Sequence, residues 1–246
     1  MGQEGRVCKW DSKKLDEPLL HLDIYEKNTS SEIAQMEIIP LHFAINRPES
    51  RKMLIATFEN SVYEVELQDN ELKLLNYYEV HDSPVSCIGF LNYFDLAKSL
   101  KLQFSDTSLN INPLVATNCV VTASFDWKIK VFPANDLKKC SNQLEFHKDF
   151  IACIDINPMN PYLLASADSD GVLAAWDLRK KSSTPIFHWK APNCITKLKW
   201  SDDGEFLAVG DIEGGVQIIS VKKALVSFKE EDVHGLIQNE FEISKL

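Results

Sequence analysis

Residues 122–132 read Thr122-Ala123-Ser124-Phe125-Asp126-Trp127-Lys128-Ile129-Lys130-Val131-Phe132: a small-residue strand, an acidic turn, then an alternating strand ending in a large apolar side chain. The design returns in Asp168-Ser169-Asp170-Gly171-Val172-Leu173-Ala174-Ala175-Trp176-Asp177. It returns again in Asp211-Ile212-Glu213-Gly214-Gly215-Val216-Gln217-Ile218-Ile219-Ser220-Val221. The closing residues Phe132, Trp176 and Ile219 lie 44 and 43 residues apart. A fixed period of this size marks a repeat architecture, so the useful question is what a row of similar modules presents to other molecules. Helical repeats of like length need a period near 3.6 residues, whereas here apolar residues alternate, as in a half-buried strand.

A second pattern counts the modules. Strands with apolar residues at i, i+3 and i+5 occur at Ile38/Leu41/Phe43, Val85/Ile88/Phe90, Ile151/Ile154/Ile156 and Ile195/Leu198/Trp200. The extra residue between the first two positions suits a bulge in an otherwise alternating strand. A four-stranded unit every roughly 40–45 residues is the period of a Trp-Asp-repeat β-propeller. The fold class expected is therefore all-β, with about four blades over 33–80, 81–146, 147–190 and 191–228. Gly5 to Asp11 reads as the third strand of an earlier blade, with 18–24 as its outer strand, so that 1–32 is a blade remnant. Val65 to Phe132 spans 67 residues, about half a blade too many, and the excess falls in 92–116. That insertion reads as a decorative loop, although Leu96, Leu100 and Phe104 have the spacing of a short helix over 95–104. Propellers close to protect their edge strands, so four blades and a remnant imply an incomplete ring, the C-terminal part of a longer protein or an incomplete gene product.

The acidic turns carry a structural expectation. In Trp-Asp repeats an Asp six residues before the terminal aromatic pairs with a His at the start of the blade, because a buried charge needs a partner. The matching pairs are His81 with Asp126 and His147 with Asp170. Glu59 and Glu213 fill the acidic slot in the other two blades without a matching His; Met36 and Pro192 stand near the expected places. Those turns must be held differently.

Composition excludes several classes. The net charge is −10 over 246 residues, which disfavours nucleic acid as a partner because backbone binding needs a basic surface. No apolar run approaches the roughly 20 residues of a membrane span, so no membrane insertion is expected. The polar N-terminus shows no secretory signal. Six cysteines include no Cys-x-x-Cys pair; Cys87 and Cys153 occupy equivalent places in apolar strands and read as core residues in a reducing, cytoplasmic setting. There is no Gly-rich phosphate loop, no His-Glu-x-x-His and no Gly-x-Ser-x-Gly elbow. The repetition of the His/Asp pairing argues for a structural device, not a catalytic dyad, so no catalytic residue, metal or cofactor is expected.

Two surface patterns remain. Phe58, Phe125, Ser169 and Ile212 each precede the acidic turn residue, Trp127 follows Asp126, and Phe150 lies just after His147. Phe58, Phe125, Trp127, Phe150 and Ile212 would cluster at one rim, either as an interface or as packing against adjacent blades. Lys13/Lys14, Lys138/Lys139, Arg179/Lys180/Lys181 and Lys222/Lys223 follow third strands on the opposite face. They are either a basic rim for an acidic partner or ordinary solvated turns. Beyond Phe228, Val233, Leu236, Ile237 and Phe241 suit one helical face, so 229–246 is expected to be a C-terminal helical tail.

The stretches Val121 to Phe132, Leu173 to Leu178 and Ala208 to Gly214 resemble the C-terminal propeller of dynein intermediate chains, closest to the cytoplasmic type. The Ser124-Phe125-Asp126-Trp127 turn is the most specific carrier, since most Trp-Asp repeats have Gly or Asp where Trp127 stands. The resemblance is loose before residue 80 and good from 115 to 245. It implies a non-enzymatic scaffold that binds the dynein heavy-chain tail and other dynein subunits, in the cytoplasm on the cytoskeleton. The light-chain, dynactin and regulator contacts of that family sit on an N-terminal extension, so the resemblance does not carry them onto these residues. The 92–116 insertion also departs from the family and leaves an axonemal or lineage-specific member open. A Trp-Asp-repeat adaptor of another complex is the competing reading.

Overall fold

A computed structural model describes residues 6–11, 13, 17–23, 38–45, 51–68, 71–91, 119–180, 182–221 and 241–245. All regular structure among them is strand. A two-stranded sheet of β1 (Arg6–Lys9) and β2 (Leu20–Asp23) precedes four four-stranded sheets. These are β3 (Pro40–Ile45), β4 (Lys52–Thr57), β5 (Ser61–Leu67) and β6 (Leu72–Glu79); β7 (Val85–Leu91), β8 (Cys119–Ser124), β9 (Lys128–Pro133) and β10 (Asn142–Glu145); β11 (Ile151–Ile156), β12 (Leu163–Asp168), β13 (Val172–Asp177) and β14 (Phe187–Lys190); and β15 (Ile195–Trp200), β16 (Phe206–Asp211), β17 (Val216–Val221) and β18 (Phe241–Lys245). Each sheet is an antiparallel meander in chain order, and the first strands stand side by side, β3 beside β7, β7 beside β11 and β11 beside β15. These are the blades of an incomplete β-propeller.

Every first strand carries a register shift at its start, between Pro40 and His42, Val85 and Cys87, Ile151 and Cys153, and Ile195 and Lys197. The bulge adds one residue per blade and increases the local twist. The first blade's marker set is therefore Pro40/Phe43/Ile45, two residues beyond Ile38/Leu41/Phe43. A slip of two keeps every side chain on the same face of a strand, so apolar alternation cannot detect it.

The core lies between blades. Leu54, Ala56 and Val62 of the first blade meet Val85, Ile88, Val120 and Phe132 of the second. A larger cluster runs from Val121 and Ile129 through Leu163, Leu173 and Trp176 to Leu198, Val209 and Ile219. Small residues in β8, β12 and β13, such as Ala123, Ala165, Ala167, Ala174 and Ala175, are fully or almost fully buried; they let neighbouring sheets approach closely. On the far side of the first blade, Val7, Leu20 and Leu22 from β1 and β2 join Ile55, Tyr63 and Val65. Cys87 and Cys153 are equivalent and buried, facing Ala123 and Ala167 across their strand pairs.

The expected C-terminal helix does not hold at 241–245. That segment is β18, paired antiparallel with β17 from Gln217↔Lys245 to Val221↔Phe241, so the fourth blade extends past residue 228. Phe-Glu-Ile-Ser-Lys alternates with a period of two, and β17 would otherwise present a bare edge. The rest of the tail, the 92–116 insertion and its helix-like stretch over 95–104 lie outside the described residues.

Candidate interaction rim

Each blade ties its entry loop to the turn between its second and third strands by one backbone bond. The Phe58, Phe125, Ser169 and Ile212 N–H groups donate to the Ile39, Pro84, Phe150 and Cys194 carbonyls at 2.9, 3.0, 3.0 and 3.0 Å. These bonds fix two equivalent series of residues on one rim, and the geometry beneath them differs from blade to blade.

In the second blade His81 Nδ1 lies 2.8 Å from Asp126 Oδ2 and Nε2 lies 2.8 Å from Thr122 Oγ1. The Asp126 carboxylate also accepts the Lys128 and Asp82 N–H groups at 3.0 and 3.3 Å. Burial raises its pKa, but the bonds and charge of His81 and the two amides outweigh that and hold it at about 2. Burial, helped by the Lys130 charge, outweighs the pull of Asp126 and lowers the His81 pKa, which favours the neutral ring.

In the third blade the expected partner is wrong. His147 Nδ1 lies 2.8 Å from Asp168 Oδ2, not from Asp170. Asp168 ends β12, is almost fully buried, and accepts the Val172 N–H at 2.8 Å through its other oxygen. Asp170 is exposed and pairs with Lys190 at the surface. Behind His147, Trp176 Nε1–H donates to Ser166 Oγ at 2.8 Å, and that oxygen lies 2.7 Å from His147 Nε2. The Ser166 hydroxyl lies 3.5 Å from the Ala174 carbonyl but only 2.7 Å from Nε2, and the Asp168 carboxylate takes the Nδ1 side of the ring. Thr122 and Ser166, equivalent in register, carried a sequence signal that the motif reading missed: in this slot the His-free blades have Ile55 and Val209. Those blades are held otherwise. Glu59 Oε1 accepts the Ile39 N–H at 3.1 Å, and Asn193 Nδ2 donates to Asp211 at 3.3 Å and to Glu213 at 3.1 Å.

Above these locks sits a row of aromatic rings. Phe58 and Phe125 meet edge-on at 6.4 Å, and Phe125 and Phe150 meet tilted at 4.9 Å. The row crosses three blades. Phe58, Phe150 and Ile212 are exposed, Phe125 is half-buried, and Ile39 adds an exposed apolar group that sequence reading left out. Ser169 takes the Phe position in the third blade. Trp127 is 51% exposed with φ 69, in the place where the third and fourth blades have Gly171 and Gly214 at φ 85 and 84. A left-handed conformation costs a non-glycine residue about 1–2 kcal/mol, and a half-exposed indole returns little of that through burial. On the opposite face, Lys13, Lys138, Lys139 and Lys180 are exposed, but Arg179 pairs with Asp177 at 2.9 Å and lies over the Tyr162 ring at 5.2 Å. Its guanidinium is therefore committed within its own blade. Lys14, Lys181, Lys222 and Lys223 lie outside the described residues.

Four meander sheets, the last three on a 43–44-residue spacing and two of the four locked by a His, a hydroxyl and an Asp, have the architecture of a WD-repeat β-propeller. Comparison with known proteins agrees at that level. The family model "WD domain, G-beta repeat" matches residues 138–177, and that of the "Anaphase-promoting complex subunit 4 WD40 domain" matches 163–235. Dynein intermediate chain 3, ciliary, from Heliocidaris crassispina is 19% identical over 233 residues, 93% of this chain and 35% of that protein. Ribosome biogenesis protein YTM1 from Eremothecium gossypii is 44% identical over 46 residues, 19% of this chain and 10% of that protein. The chain thus spans about a third or less of the length of these relatives. The dynein relative is of the ciliary type, so the cytoplasmic type is not singled out.

Proposed function

We propose that this chain is a non-enzymatic scaffold whose docking face is the rim bearing Phe58, Phe125, Trp127, Phe150 and Ile212. One observation carries the reading: Trp127 holds an unfavourable backbone conformation and exposes its side chain two residues after Phe125, the middle ring of a row of three phenylalanines. Folding alone favours glycine there, whereas a large exposed aromatic is the residue type that dominates binding energy at interfaces. Beneath the rim, the His81/Asp126 and His147/Asp168 pairs are buried and bonded to Thr122 and Ser166.

The partner we propose is the heavy-chain tail of a dynein motor, with a cytoplasmic, cytoskeletal location. Support comes from the Phe125-Asp126-Trp127 turn and from the likeness to a ciliary dynein intermediate chain along 93% of the chain. A full-length protein containing this segment should capture heavy-chain tail fragments in a pull-down. Phe125→Ala and Phe150→Ala should abolish capture while circular dichroism stays unchanged. Absence of capture by the unaltered protein would leave the adaptor reading, which the match to a WD40 domain of another assembly over 163–235 favours.

A further inference from the structure

Resting on that scaffold reading, we infer that the rim receives a basic amphipathic helix of its partner: apolar side chains on Phe58, Phe125 and Phe150, and lysines or arginines against Glu59, Asp149 and Glu213. The two ring-to-ring steps, 6.4 and 4.9 Å, are each close to the ~5.4 Å rise of one helical turn. Apolar residues at i, i+4 and i+7 of a helix therefore meet the three rings in order. Trp127, half-exposed, stands one residue past Asp126 and two past Phe125.

The sign of the partner follows from the carboxylates. Glu59 adjoins Phe58, Asp149 adjoins Phe150 and Glu213 adjoins Ile212. Each accepts one hydrogen bond from its own loops, from the Ile39 and Phe150 N–H groups and the Asn193 amide. None of the three forms an ion pair among the described residues. Among the described residues, the neighbouring cations Lys128 and Lys190 pair with Asp82 and Asp170, and Lys148 stands beside Asp149 against the three carboxylates. An apolar row bordered by uncompensated negative charge selects against acidic helices and speeds encounter with basic ones.

The test is a selection of displayed, randomised peptides on the full chain, counter-selected on Phe125→Ala. Phe125-dependent peptides should be enriched in Lys and Arg beside apolar residues at helical spacing. Their affinity should fall at least about tenfold on Phe125→Ala and decline with added salt. Combined Glu59→Lys, Asp149→Lys and Glu213→Lys should invert the preferred flank to Asp and Glu. Phe125-dependent peptides that are neutral or acidic, or a preference indifferent to charge reversal, would overturn this inference and leave the docking rim standing. A pool with no Phe125-dependent peptide would remove both. Trp127→Gly, which relaxes the backbone, gives a second weakened variant whose folding is not in question.

Discussion

The carboxylate that locks the third blade can be identified by mutation. Asp168 accepts the His147 Nδ1–H and the Val172 N–H, both at 2.8 Å, with 1% of its side chain exposed. Asp168→Ala strands both donors in a site closed to water, at about 1–3 kcal/mol each, so about 3 kcal/mol in total is expected. Asp170→Ala removes only a surface pair whose Asp is 67% exposed, worth about 0–1 kcal/mol. A third variant sharpens the contrast. In the second blade Ser124 stands where Asp168 does, and its hydroxyl accepts the Asp126 N–H at 3.0 Å. Asp168→Ser should therefore position Asp170 as Ser124 positions Asp126, and recover most of the loss. Adding Asp170→Asn should then restore the full cost. Urea denaturation of the 246-residue chain, followed by tryptophan fluorescence, reads these differences at constant slope. If Asp170→Ala proved as costly as Asp168→Ala, the assignment of the lock would be refuted.

Acid should act on the second blade in two steps. His81 favours its neutral form when folded, so its contribution is present above pH 6.5 and declines below it. Asp126, held at about 2 against an ordinary 3.8, contributes up to about 2 kcal/mol that fades as pH falls from about 4 toward 2; Asp126→Asn should flatten that limb of the stability–pH curve. Trp127→Gly should leave the fold intact and raise stability by up to about 1 kcal/mol, read as a shift in denaturation midpoint. In native buffer a thiol reagent should modify exposed Cys140 quickly and reach buried Cys87, Cys119 and Cys153 only after denaturant is added, since burial also pushes the Cys87 and Cys153 thiols up. Ending the chain at residue 240 should speed hydrogen exchange at those amides of Gln217–Val221 that face Phe241–Lys245, and spare those that face Phe206–Gly210.

Strand identity and the bulges were legible because both leave a period in the sequence. The bulge at Val85–Cys87 follows from one extra residue between Val85 and Ile88. The place of the first blade's bulge did not follow, because Ile38 and Pro40 are two residues apart, the spacing of one strand face, and apolarity cannot tell which of them starts the strand. His81 and Asp126 could be paired from their positions. His147 could not, since Asp168 and Asp170 are both acids within reach and the choice rests on burial, which has no linear signature. The tail was misread because Phe241 fits a helical face with Val233 and Ile237. Ile243, which does not fit that face, was the sign of a strand. The rim residues were visible as equivalent places of the repeat, but the order of their rings as a continuous row required the three-dimensional spacing of neighbouring blades.

The two ways of closing a blade have a consequence for how such a sequence can change. Asp126 closes one blade from the turn, and Asp168 closes the next from the strand end two residues earlier. The third blade holds acids at both places while using one. A lineage can therefore move the lock from one place to the other through a stage that owns two keys, never passing through a blade that has none. Repeats within one chain can drift apart in motif while keeping the same bond, and a search pinned to a single acidic position would lose them.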